Sequence, residues 1–145
     1  MVDRVSQAVF IDTVVVASPH KIPLNLKCDT FIGKEHNVLD RYYQCAKKYN
    51  ADVIVRITSD CPYIDPYIIN LAFIYFQNHN FPYICFAPVD GLDVEIFSFL
   101  MLKRAWEEVT SLYDKEHVTP YMRRYTKISV DTKEDLEKVR GMNGL

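Results

Sequence analysis

What this chain of 145 residues does not contain narrows its class before any motif is read. Its four cysteines, Cys28, Cys45, Cys61 and Cys85, form no Cys-x-x-Cys. The histidines at 20, 36, 79 and 117 have no zinc-ligand spacing to each other or to the cysteines, which argues against a zinc site. Nothing marks the chain as secreted, so reduced, mostly buried thiols in a cytoplasmic protein are expected. Charge of one sign is also missing. The net charge is −2 and the isoelectric point about 6.1, and no Lys/Arg-rich block exists, so no electrostatic footprint for nucleic acid is present. The first seven residues are polar and unlike a signal peptide. The most apolar stretch, residues 67–76, is too short to span a bilayer and contains Asn70. There is no internal repeat, low-complexity tract or linker, and the length suits one domain over 1–145 with a real core. The ten Tyr and eight Phe are spread along the chain, as core packing requires, rather than grouped as a base-stacking platform.

What is present alternates. The spacing predicts the end of a helix over 2–8 and a β-branched strand over 13–17, then a loop over 19–27. A helix over 38–49 follows, with Asn37 as its cap, because Leu39, Tyr42, Ala46 and Tyr49 recur at helical spacing. Residues 53–58 read as the central strand, buried on both faces of a parallel sheet. Asp65 and Pro66 open a helix to about 77. Strands over 83–86 and 94–97 precede a helix capped by Ser98 and running through 109, and a helical turn or two falls within 115–124. A strand over 127–130 leads to Asp131, and Thr132 with Asp135 resembles a capping box for a last helix over 133–140. This order predicts an α/β protein, a three-layer α/β/α sandwich with a mainly parallel sheet.

Chemistry-bearing residues gather where such strands end. Asp60 follows the central strand, at the carboxyl end where open α/β sheets bind ligands. The plainer alternative is a loop-capping turn, Asp-Cys-Pro. Asp131 ends a second strand and has its own alternative as a helix cap. Two such carboxylates suffice for one Mg²⁺, which takes its other ligands from water and phosphate. Arg56 shares a strand face with Ile54 and Thr58, so its guanidinium either reaches the ligand crevice or forms an internal ion pair with Asp93 or Glu95; the ion pair is slightly favoured. Residues 90–95 pack Asp90, Asp93 and Glu95 around a glycine turn, either solvated or placed to bind sugar hydroxyls. Residues 116–121, with Glu116 and His117 beside Tyr121, either cap a helix or line a polar pocket.

Taken in order, residues 38–44 (VLDRYYQ), 51–62 (ADVIVRITSDCP) with 64–66, 90–99 (DGLDVEIFSF), 116–121 (EHVTPY) and 130–136 (VDTKEDL) resemble the spore-coat polysaccharide biosynthesis protein F group of the cytidylyltransferases. No single motif is unique, but the ordered set is specific and covers most of the chain from Asn37 onward. The resemblance implies a nucleotide-diphospho-sugar transferase fold, Rossmann-like. It implies transfer of a cytidylyl group from CTP to a sugar or sugar-acid acceptor in surface polysaccharide synthesis. By analogy Asp60 and Asp131 are the catalytic, Mg²⁺-holding pair. Asp40, Arg41, Arg56, Asp93, Glu95, Glu116 and His117 would line the nucleotide and sugar ends of the pocket. Neither nucleic acid nor a membrane is an expected partner; pairing into a homodimer stays open.

The sequence also departs from that group. The group's first strand, with its Gln-Ala-Arg…Arg-Leu-Pro-x-Lys triphosphate loop, has no counterpart here, and Met1 falls where the group is already in its next helix. Residues 17–20 lack the usual acidic stretch, Asn37 stands where an acid is common, and an insertion between 124 and 127 is nearly deleted. An isolated chain without that loop is expected to turn over weakly or not at all. The alternatives are an inactive remnant or binding module of the same fold and, less favoured, a glycosyltransferase acting on a nucleotide-sugar.

Overall fold

The fold was analysed in a computed structural model that describes residues 1–22, 27–87 and 91–126. In chain order the elements are α1 (Val2–Val5), β1 (Val15–Ser18), β2 (Asp29–Ile32), α2 (Val38–Lys48), β3 (Val53–Arg56), α3 (Pro66–His79), β4 (Tyr83–Phe86), β5 (Val94–Ser98), α4 (Phe99–Glu108), α5 (Leu112–His117) and α6 (Pro120–Thr126).

Local chemistry sets the helix starts. The Asn37 side-chain oxygen accepts the Asp40 amide at 2.9 Å, closing the first turn of α2. Asp65 accepts the Tyr67 amide at 2.9 Å, and Pro66, which has no amide hydrogen to leave unpaired, occupies the first helical position of α3. Ser98 accepts the Met101 amide at 3.1 Å and Ser111 the Asp114 amide at 3.3 Å, opening α4 and α5. Asn80 ends α3 in the left-handed region (φ 51°), which its short polar side chain tolerates better than most.

Three strands form the described central sheet, in the order β3-β5-β4. β5 runs antiparallel to both neighbours, so β3 and β4 point the same way on either side of it. Arg56 faces Glu95 across the β3–β5 ladder, and Cys85 faces the same Glu95 across β4–β5. Strand alternation then separates two cores. Ile84, Phe86, Val94 and Ile96 pack on Ile69, Ala72, Tyr75 and Phe76 of α3. Tyr83, Cys85 and Phe97 pack on the opposite side with Leu39 and Tyr43 of α2, Met101 and Leu102 of α4, and Met122 of α6. The result is helix, sheet, helix: the α/β class expected from the sequence. Burying a side chain as large as Ile96 or Leu102 contributes about 1.5–3 kcal/mol each.

The pairing departs from the mainly parallel sheet that strand–helix alternation predicts: both ladders of the described central sheet are antiparallel, because β5 inserts between two strands that run the same way, and among the described strands β1 and β2 alone pair parallel. Two further details differ from the sequence expectation. β3 is half-buried along its whole length, whereas β4 and most of β5 are buried. Both faces of β3 are packed, Ile54 toward α2 and Val53 and Val55 toward α3, and its partial exposure goes with its pairing on one side only among the described residues. The second difference is β2, which pairs parallel with β1 (Val15 opposite Asp29, Ser18 opposite Ile32). Its four residues are mostly exposed and carry no alternating signal, which is why the sequence does not announce it. The strand at 127–130 and the helix at 133–140 lie outside the described residues.

Replacing Asn37 by alanine is expected to lower unfolding free energy by about 1 kcal/mol with an unchanged denaturant slope, measured by urea titration.

Candidate active site

Because β5 runs against its neighbours, the turn after β3 and the turn before β5 open on the same edge of the sheet. That geometry gathers residues far apart in sequence. Asp60 lies exposed just past β3, and Asp93 stands half-buried just before β5. The buried Cys61 thiol lies between them, its sulfur 4.0 Å from Asp60 Oδ1 and 3.8 Å from Asp93 Oδ2. The Thr58 hydroxyl is 3.7 Å from the same sulfur. A hydrogen bond from Thr58 holds the Asp60 carboxyl below its ordinary range; its own backbone amide adds to this, as does the charge of Arg56, against little burial. Asp60 is therefore an ionised, solvent-facing oxygen donor, the ligand type Mg²⁺ selects.

Two residues on from Asp93, Glu95 organises the edge. It is 4 % exposed, and its Oε1 accepts the Tyr83 hydroxyl at 2.8 Å, the Thr119 hydroxyl at 2.8 Å and Arg123 Nη2 at 3.2 Å. Its Oε2 is hydrogen-bonded and ion-paired to Arg56 Nη1. Burial would raise the Glu95 carboxyl, but Arg56, Thr119, Tyr83 and Arg123 outweigh it and hold it below the usual 4.5. Burial, with Glu95 nearby, pushes the Tyr83 phenol well up, so Tyr83 remains a donor. Two guanidinium groups thus share one carboxylate, and the charge of one of them, Arg56, also reaches Asp60.

Of the two readings weighed for Arg56, the internal ion pair is formed, and its partner is Glu95. The guanidinium also lies 5.8 Å from the ring centre of Tyr42 on α2, and its buried Nε has no partner. Asp40 and Arg41 sit on the first turn of α2. Asp40 is 5 % exposed and accepts Trp106 Nε1 at 2.8 Å and Gln44 Nε2 at 3.2 Å, with Lys34 Nζ 3.1 Å away. Burial opposes ionisation of Asp40, yet these partners, Trp106 foremost, hold its carboxyl below the usual range. Its interactions tie α2 to α4. Arg41 donates to the Lys34 carbonyl at 2.7 Å while its stem crosses Gly33; a Cβ there would stand 2.7 Å from Arg41 Cγ, so that crossing requires glycine. Glu116 and His117 are exposed at the end of α5, where the His117 ring tilts over Tyr113 at 4.4 Å. Asp90 and Asp131 lie outside the described residues.

Sequence reasoning missed the other partners of Glu95. Tyr83 and Arg123 carry no local signal, whereas a buried acid in an apolar strand does signal that donors must exist nearby. It also missed the backbone at Val118. This buried residue has φ 69° and ψ −56°, and the Thr119 amide donates to the His117 carbonyl at 2.8 Å, closing a γ-turn. Such a turn is strained, at a cost of about 1–3 kcal/mol.

None of the four cysteines is in a disulfide. No group of three His, Cys, Asp or Glu able to hold a metal occurs among the described residues, and none of their helices is long and apolar enough to cross a membrane. An open depression of about 590 Å³ lies at the opposite edge of the sheet, lined by Phe76, Gln77, Asn80, Phe81, Pro82 and Ser98, and carries no charged side chain.

Comparison with known proteins agrees with this architecture. The cytidylyltransferase family pattern matches residues 1–141, and the chain belongs to that family. It is 35 % identical to an uncharacterised protein, MJ1063, of Methanocaldococcus jannaschii, over 84 % of this chain and 54 % of that protein. It is 26 % identical to the spore coat polysaccharide biosynthesis protein SpsF of Bacillus subtilis, over 98 % of this chain and 73 % of that one. A solved cytidylyltransferase structure from Leptospira borgpetersenii superposes with a TM-score of 0.77 at 28 % identity, covering 88 % of this chain and 59 % of that chain. The fold is therefore that of a nucleotide-sugar transferase-like α/β protein. The chain spans about half the length of the archaeal relative.

Glu95 carries a pH prediction. Its carboxyl ionises more readily folded than unfolded, so its contribution to stability is complete above about pH 4.5 and is lost as pH falls through the lower folded value. Glu95→Gln is expected to flatten that acid limb in denaturant titrations at a series of pH values. At neutral pH the same variant should cost about 3–5 kcal/mol, because Arg56 is left buried without its counter-charge.

Proposed function

We propose that this chain provides the nucleotide-handling edge of a cytidylyltransferase that transfers CMP from CTP to a sugar or sugar acid, releasing pyrophosphate, in cytoplasmic synthesis of a surface polysaccharide. The observation that carries this reading is the edge at β3 and β5 in a chain of this family: an exposed, ionised Asp60 beside the Arg56–Glu95 pair and Asp93. In the reaction an acceptor hydroxyl oxygen bonds to the α-phosphorus, the bond from that phosphorus to the bridging oxygen of the β-phosphate breaks, and a proton is released.

A single exposed carboxylate at a strand end fits Mg²⁺, which needs only one or two protein oxygens. Asp60 would hold the ion, with Asp131 as its proposed second ligand. Bound there, Mg²⁺ neutralises triphosphate charge and orients the reacting groups. The chain's own part is placement. Arg56 is a cation next to Asp60, and with Arg123 it neutralises Glu95, so a bound cation at Asp60 would complete the charge balance for a polyanionic ligand. Asp93 would stand at the sugar end, with Glu116 and His117 on the rim formed by α5. Asp40 and Arg41 would contribute by shaping the start of α2 beside Tyr42. Such catalysis rests on positioning more than on covalent chemistry.

A thermal-shift panel of CTP, UTP, ATP, GTP and a UDP-sugar, each with and without Mg²⁺, tests this reading. CTP with Mg²⁺ should stabilise selectively, by about 2.7 kcal/mol at a hundredfold excess over its dissociation constant. Asp60→Asn should abolish the Mg²⁺-dependent part while leaving the ligand-free melting temperature nearly unchanged, since the side chain is exposed. Selective stabilisation by the UDP-sugar would replace this reading with the glycosyltransferase one, and no response to any nucleotide would remove both.

A further inference from the structure

The γ-turn at Val118 is the least comfortable backbone in the described chain. A buried, β-branched residue occupies a conformation that suits glycine. It is held from both sides. The Val118 amide donates to the Asp114 carbonyl at 3.0 Å, closing α5, and the Arg123 amide donates to the Thr119 carbonyl at 2.9 Å, opening α6. Strain of this kind persists only where the surroundings over-determine it, and it concentrates at functional sites.

What the turn secures is the Thr119 hydroxyl, brought to 2.8 Å from Glu95 Oε1. That oxygen already accepts Tyr83 and Arg123. Three donors on Oε1 fix the plane of the carboxylate and leave Oε2 turned toward Arg56. Arg56 needs such fixing, because its Nε has no partner, and besides Glu95 its guanidinium meets the side chain of Tyr42, through ring and hydroxyl.

We propose that the Val118 turn and the Thr119 hydroxyl are positioning elements of the site: by orienting Glu95 they hold the Arg56 guanidinium at the edge that carries Asp60, where it favours a phosphate-bearing ligand. The ligand half of this statement rests on the nucleotide reading above; the placement of Arg56 does not.

The test uses the full chain with Thr119→Val, Thr119→Ser, Val118→Ala and Val118→Gly. Three quantities are read: melting temperature, the dissociation constant for CTP with Mg²⁺ by calorimetry, and the Arg56 Nε–Hε resonance by ¹⁵N NMR. Thr119→Val should shift or broaden the Arg56 resonance and weaken CTP binding about fivefold, the worth of one hydrogen bond. Thr119→Ser should restore both. Val118→Gly should melt higher than Val118→Ala, because glycine relieves the positive φ, yet bind CTP more weakly because the turn is no longer held. A purely structural role would move stability and affinity together. An unchanged Arg56 resonance in Thr119→Val, or stability and affinity changing in the same direction across the Val118 pair, overturns the proposal. Should the wild-type chain show no affinity for CTP, the nucleotide reading fails, and the Arg56 resonance alone decides whether Thr119 positions it.

Discussion

A single buried negative charge ties together four otherwise independent pieces of this protein. Glu95 on β5 receives Arg56 from β3, Tyr83 from β4, Thr119 from the corner between α5 and α6, and Arg123 from α6. An isolated carboxylate at 4 % exposure would not remain ionised without them. If Glu95 were apolar, half-buried Arg56 and buried Thr119 would lose their acceptor, whereas exposed Arg123 would keep Tyr83 and Cys85. The network fixes the strand edge on which the candidate chemistry stands.

This arrangement explains why the edge can be charged at all in a sheet whose interior is otherwise apolar. On the α3 side the described strands present Ile84, Phe86, Val94 and Ile96, all aliphatic or aromatic. The opposite side carries Cys85, Glu95 and Arg56 along one cross-strand row, with Tyr83 in the next row opposite Phe97. The charged side chains of the described central strands, Arg56 and Glu95, lie on the side where α5 and α6 supply donors. Asp40 repeats the principle on a smaller scale: its buried carboxylate joins α2 to α4 through Trp106 and reaches out to Lys34.

Much of this was legible in the sequence, and for reasons that can be named. Asn37, Asp65 and Ser98 announce their helices because a cap is a short-range contact between a side chain and an amide two or three residues on. The β4 and β5 runs are apolar because they are buried, and Arg56 demanded an acid because a guanidinium inside a strand cannot stand alone. Pairing order was not legible. Nothing local tells β5 to run between β3 and β4, and that placement brings Asp93 to Asp60 and Thr119 to Glu95. β2 stayed hidden because four mostly exposed residues leave no periodicity. The Val118 turn stayed hidden because valine is the residue least expected there. The wager that Asp60 and Asp131 share one cation rests on a residue outside the described chain.

The antiparallel course of β5 also constrains how this sheet tolerates length changes. Side chains along a strand alternate with a period of two, so one residue added or removed between Leu92 and Val94 that slides the strand by a single position turns Glu95 into the aliphatic layer against α3. Arg56, Tyr83, Thr119 and Arg123 would then face a valine or an isoleucine. At the opposite margin, the connector through Phe81 and Pro82 sits beside a depression lined by no charged side chain, and a longer loop there meets no buried ion pair. Natural variation in loop length should be unequally distributed between the two margins of the sheet, sparse where the charges are and generous where they are not.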